Sequence, residues 1–69
     1  MIYVFKTSVE TKYQVEQLKP GINKIPAVNH WNFDLEDCDN ILRIDSEENI
    51  VFTITRLLRS HQFNCEELE

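Results

Sequence analysis

The chain has 69 residues, room for one domain spanning 1–69 and no more. Hydrophobic residues make up 42% and charged residues 28%, a balance that excludes a disordered chain. Twelve acidic residues against seven basic ones give a net charge of −5, a surface that repels phosphate backbones and anionic headgroups and so excludes nucleic acid and membranes as expected partners.

Ile2 to Val9 is dense in β-branched and aromatic residues. Ile2 and Val4 point one way and Tyr3, Phe5, Thr7 and Val9 the other, so both faces are apolar and the segment reads as a central strand. The period then changes. Val15, Leu18, Ile22 and Ile25 fall at steps of three and four, one stripe of a helix, with Thr11 or Ser8 offering a hydroxyl as N-cap. Pro20-Gly21 interrupts this helix, and because the stripe continues past it a kink is expected rather than an end. Pro26 closes the segment.

Trp31, Phe33 and Leu35 alternate with Asn32, Asp34 and Glu36, the pattern of a half-buried strand. Asp37-Cys38-Asp39-Asn40 is a turn by composition, and Ile41 to Ile44 returns as the second arm of a hairpin. Ser46 reads as the N-cap of a second helix, with Glu47 and Glu48 at the positive end of its dipole and Arg56 and Arg59 near the other end. Ile50, Val51, Ile54, Leu57 and Leu58 form its apolar face, and Phe63 and Cys65 share one face of a short last strand.

Strand, helix, strand, strand, helix, strand with two right-handed crossovers gives an α+β class: a ferredoxin-like βαββαβ sandwich, a four-stranded antiparallel sheet with two helices on one face. Two cysteines, Cys38 and Cys65, are too few for a disulfide framework and lack the paired spacing of a zinc site. No apolar run approaches the roughly 18 residues of a membrane helix, and no leader precedes the first strand, so the expected setting is soluble and cytoplasmic. Leu68-Glu69 has the composition of a cloning remnant and carries no weight in this reading.

In that order of elements, and in Phe5-Lys6-Thr7, Trp31-Asn32-Phe33-Asp34-Leu35 and Ile41-Leu42-Arg43-Ile44, the chain resembles the heavy-metal-associated domain family of copper chaperones and metal-pump modules. The family's metal motif is Met-x-Cys-x-x-Cys at the first strand-to-helix junction. Aligned on this chain it falls on Val9 to Gln14, with Thr11 and Gln14 at the two cysteine positions. Two thiolates near a helix N-terminus hold a soft ion, whereas a hydroxyl and an amide are hard, neutral, weak donors, and Lys12 adds a cation between them. The resemblance therefore implies the fold, and the residues imply a degenerate site with no metal cofactor.

In this fold the junction, the hairpin turn and the loop before the last strand lie at one end. Cys38 and His61, with Asp37 or Asp39, form an alternative N/O/S ligand set there, though their first reading is structural: a turn thiol and a helix C-terminal residue. His30 carries less, and Cys65 reads as a small buried hydrophobe. No nucleophile motif or Gly-rich phosphate loop is present, Gly21 being the sole glycine, so no enzyme is expected.

Seven of the twelve carboxylates lie between Asp34 and Glu48, with Arg43 the only Lys or Arg among them. The expected function is a small non-catalytic binding module that meets a protein partner, or itself, through Glu10, Lys12 and Tyr13 with Asp37 and Asp39. The alternatives are a chaperone-like metal binder using Cys38 and His61, and a structural homodimer that pairs exposed edge strands.

Overall fold

The computed structural model describes residues 1–68 and contains β1 (Ile2–Thr7), α1 (Lys12–Asn23), β2 (Val28–Asp34), β3 (Ile41–Ser46), α2 (Val51–Ser60) and β4 (Cys65–Leu68). All four strands pair antiparallel in the order β2-β3-β1-β4, which is the expected ferredoxin-like topology. The two apolar faces of β1 mark it correctly as a central strand, bonded to β3 on one side and β4 on the other. Leu68 pairs with Val4 in β4, while Glu69 lies outside the described residues.

Register decides which side chains share a face. Phe5, Leu42 and Phe33 lie side by side across β1, β3 and β2, and Tyr3, Ile44 and Trp31 form the next row. Phe5, Leu42 and Ile44 are fully buried against Leu18 and Ile22 of α1 and Ile54 and Leu58 of α2. The other face carries Ile2, Val4, Lys6, Asn32 and Arg43 and is open. Trp31 is half-buried: its ring meets Phe33 edge-on at 6.0 Å, and its indole N–H donates to Asn23 Oδ1 at 2.9 Å, pinning β2 to the end of α1.

Several boundaries differ from the sequence expectations. β1 ends at Thr7, and Val9 is buried in the loop that follows rather than in the strand. Helix α1 continues through Pro20, as the apolar stripe running past it predicts. Proline forfeits one hydrogen bond and crowds the preceding turn, and the burial of Leu18 and Ile22 on either side outweighs that cost. Gly21 serves the packing of the two helices, since an added Cβ there would lie 2.7 Å from Leu57 Cδ1. The helix ends at Asn23 with Ile25 beyond it, in a tightened turn where Lys24 N–H reaches Gly21 O and Ile25 N–H reaches Ile22 O. Strand β2 starts three residues early, at Val28, with a bulge between Val28 and His30, and Leu35 belongs to the turn.

Ser46 is the clearest correction. It is the last residue of β3, fully buried, and its one O–H lies 2.7 Å from Glu48 O and 3.1 Å from Ala27 O, shared between these two acceptors rather than capping a helix. Helix α2 starts five residues later with Ile50 at the N-cap, Asn49 Oδ1 accepting from Val51 N–H, and neither Glu47 nor Glu48 in the first turn. The chain needs Glu47 to Asn49 to cross from the sheet to the helix layer.

At its far end α2 closes in a Schellman motif. Phe63 N–H donates to Leu58 O at 3.0 Å and Gln62 N–H to Arg59 O at 2.9 Å, with Gln62 in the left-handed region at φ 69°. Phe63 thus belongs to the cap, and β4 begins at Cys65.

Cys65 is buried in the core, as expected for a small hydrophobe. Burial pushes its thiol above the ordinary 9.0, partly countered by a hydrogen bond from Thr55 and the charge of Arg59. The folded thiol holds its proton more tightly than the unfolded one, so this contribution is complete below 9.0 and is lost as pH rises through the folded value. The urea midpoint therefore falls from about pH 8 to about pH 10, and Cys65→Ala, at a lower starting stability, shows a flatter decline.

Candidate functional site

The exit of β1 is where the loops of one end meet. Thr7 N–H donates to Asp39 O at 3.2 Å and Thr7 Oγ1 to Asn40 O at 2.6 Å, which ties β1 to the β2–β3 turn. Ser8 N–H donates to Asn64 O at 3.2 Å and Asn64 N–H to Ser8 Oγ at 2.8 Å, which ties it to the loop before β4. Ser8 is thus a loop clamp and not the helix cap. The three expected loops converge through these bonds.

Thr11 is the N-cap of α1, extended at φ −126° and ψ 156°. Its Oγ1 accepts from Gln14 N–H at 3.1 Å, while Gln14 Oε1 accepts from Thr11 N–H at 3.1 Å and from Glu10 N–H at 2.7 Å. This is a complete capping box: two side chains satisfy the N–H groups of Thr11 and Gln14, which the helix start leaves without partners, and of Glu10 just before it. Lys12 in the first turn sits at the positive end of the helix dipole, where a cation is disfavoured, so the cap is the main local stabiliser of this helix start. Both oxygens are already engaged with backbone N–H groups and are hard, neutral donors. The Thr11–Gln14 pair does not fit a soft cation.

Around the cap the surface is open. Glu10, Lys12 and Tyr13 are exposed, Tyr13 at 73%. In the hairpin turn Asp37 Oδ1 accepts from Asp39 N–H at 2.8 Å and Asp37 O from Asn40 N–H at 3.0 Å, with Asn40 left-handed at φ 49°. Asp39 Oδ1 stands 3.6 Å from Lys6 Nζ. One ligand atom each from Asp37, Cys38 and Asp39 lies within 4.8 Å of the others. His61 does not join that group; it is the exposed C-cap of α2, and its backbone N–H closes the helix. The alternative set is therefore divided, with Cys38 beside two carboxylates and the histidine elsewhere. His30 is exposed on the open face of the sheet, opposite Asp45.

No protein-family model matches the chain, and no curated protein does. Among solved structures it is similar to the N-terminal domain of ZntA in two solution forms, the Zn(II) form with a TM-score of 0.83 and the apo form with 0.84. Each is 13% identical and covers 99% of this chain and 92% of that one. At this identity the likeness shows the fold.

Sequence reasoning placed Thr11 as a cap and missed the return bonds of Gln14, although Thr-x-x-Gln before an apolar stripe is the signature of a capping box. Thr11→Ala is expected to cost about 0.5–2 kcal/mol, and Gln14→Ala about 1 kcal/mol. The double variant costs less than their sum, because either loss already disrupts the reciprocal box. Urea unfolding of the four proteins checks this, with Thr11→Ser retaining most of the stability.

Proposed function

We propose that this chain is a non-catalytic binding module built on the heavy-metal-associated type of fold, in which the first strand-to-helix junction has exchanged metal capture for a helix cap. The observation that carries this reading is the engagement of Thr11 Oγ1 and Gln14 Oε1 with backbone donors at the positions where the family places its thiolates. The surface beside the cap remains available to a protein. Tyr13 offers an exposed aromatic, Glu10 and Lys12 flank it, and Asp37 and Asp39 lie on the turn that Thr7 holds against the same end of the sheet. The charge balance of −5 favours a cationic partner surface, with long-range attraction setting the encounter rate and a small contact area setting modest affinity.

A second reading rests on the Asp37, Cys38 and Asp39 atoms within 4.8 Å. One thiolate with two carboxylates suits a borderline divalent ion such as Zn(II) better than Cu(I). Against it, three consecutive residues supply the whole set, and Asp37 already holds the turn.

Chelator-competition titrations with Zn(II) and Cu(I) on the reduced protein separate the two. The first reading predicts no binding tighter than about 10 μM by the wild type, and binding tighter by at least about a thousandfold once Thr11→Cys and Gln14→Cys restore the thiolate pair. Tight wild-type Zn(II) binding abolished by Cys38→Ser would support the second reading instead. For the docking surface, Asp37→Asn with Asp39→Asn keeps the turn acceptors and removes both charges. Unchanged association with an identified partner counts against this acidic end as the docking surface.

A further inference from the structure

The two edges of the sheet are unlike. β4 is four residues long and carries Glu66 and Glu67, so pairing two copies along it would set carboxylates against one another. β2 has no such guard over its regular part, His30–Asp34, whose only formal charge is Asp34 at the end. The bulge between Val28 and His30 marks where regular pairing stops.

The outward-facing backbone of β2 follows from the ladder. Ser46 N–H donates to Met1 O, so Ser46 turns its polar groups toward β1. Direction alternates along a strand, so Asp45, Arg43 and Ile41 turn theirs toward β2, where they meet His30, Asn32 and Asp34. Trp31 and Phe33 consequently turn their N–H and C=O groups away from the sheet, where among the described residues no strand or loop backbone meets them. Beside this edge runs a groove of about 610 Å³ between β2 and the start of α1, lined by Val15, Trp31, Phe33 and Leu35 with Lys12 and Glu16 at its rim.

We propose that β2 pairs antiparallel with β2 of a second copy of this chain, about a twofold axis through Asn32, to form a continuous eight-stranded sheet. The segment His30-Trp31-Asn32-Phe33-Asp34 is complementary to itself in that register. Trp31 of one copy faces Phe33 of the other as a hydrogen-bonded pair, so the four outward N–H and C=O groups of each copy are all satisfied. Their rings, half-buried in one chain, extend a single aromatic layer on the helix side. On the open face His30 of each copy stands opposite the Asp34 carboxylate of the other, and Asn32 meets Asn32 at the axis. Any other twofold register in this strand breaks either the aromatic or the imidazole–carboxylate match. The paired residues, His30 to Asp34, do not include the Thr11–Gln14 box, although the groove beside them reaches Lys12 at the start of α1, and the proposal does not depend on the loss of metal binding at that box.

Sedimentation velocity and the fluorescence of Trp31, the only tryptophan, test it together. The wild type is expected to shift from 8.2 kDa toward twice that mass between about 10 μM and about 1 mM, with a blue shift of emission as the indole leaves water. Asn32 is exposed on the open face, so its variants keep the fold, which far-UV circular dichroism verifies. Asn32→Asp and Asn32→Lys each place like charges at the axis and weaken association by about five- to tenfold. An equimolar mixture of the two regains association at least as strong as the wild type. A wild type that stays monomeric at about 1 mM overturns the proposal. So does a dimer indifferent to both Asn32 variants, or one disrupted instead by Glu67→Lys on the other edge.

Discussion

The exit of β1 into α1 sets the rest of this structure. β1 is bonded on both sides, so it cannot move to accommodate its neighbours. Four residues, Ser8 to Thr11, must carry the chain from the middle of the sheet into a helix. The backbone N–H groups there have no intrahelical acceptor, and the side chains of Thr11 and Gln14 take those of Glu10, Thr11 and Gln14. The start of α1 is fixed by that box, and with it the line along which Leu18 and Ile22 reach the core and Gly21 meets Leu57. The side-chain oxygens of both residues are engaged by backbone donors. Chemistry and folding compete for the same pair of positions.

Much of the fold was legible because its determinants are local and periodic. Apolar residues on both faces of Ile2 to Thr7 marked a central strand, the three-four spacing from Val15 marked α1, and the alternation of Trp31 and Phe33 with polar residues marked a hairpin arm that ends one residue before Leu35. What escaped the sequence depends on partners distant along the chain. Ser46 has the composition of a helix cap, yet it ends β3, with its hydroxyl between Glu48 O and Ala27 O, the latter nineteen residues away. The close of α2 was hidden for another reason: the left-handed position of a Schellman motif is usually glycine, and here it is Gln62.

The candidate site divides along the same line. Thr11 and Gln14 are three apart in sequence and their pairing is visible there once the capping signature is sought. The group of Cys38 with Asp37 and Asp39 is equally local, and its turn was read from composition. Joining His61 to it required a distance between two loops that no sequence pattern encodes, and the structure keeps the histidine out of that group. The likeness to the N-terminal domain of ZntA accounts for the sheet, the helices and their order.

Amide spectra of the 15N-labelled protein, recorded with and without one equivalent of Zn(II) under reducing conditions, test the account most directly. If the junction is a helix cap and nothing more, the amides of Glu10, Thr11 and Gln14 keep their positions on adding the ion, and they exchange slowly with solvent in both samples. Shifts or broadening centred on Thr11 to Gln14, with loss of that protection, would contradict it.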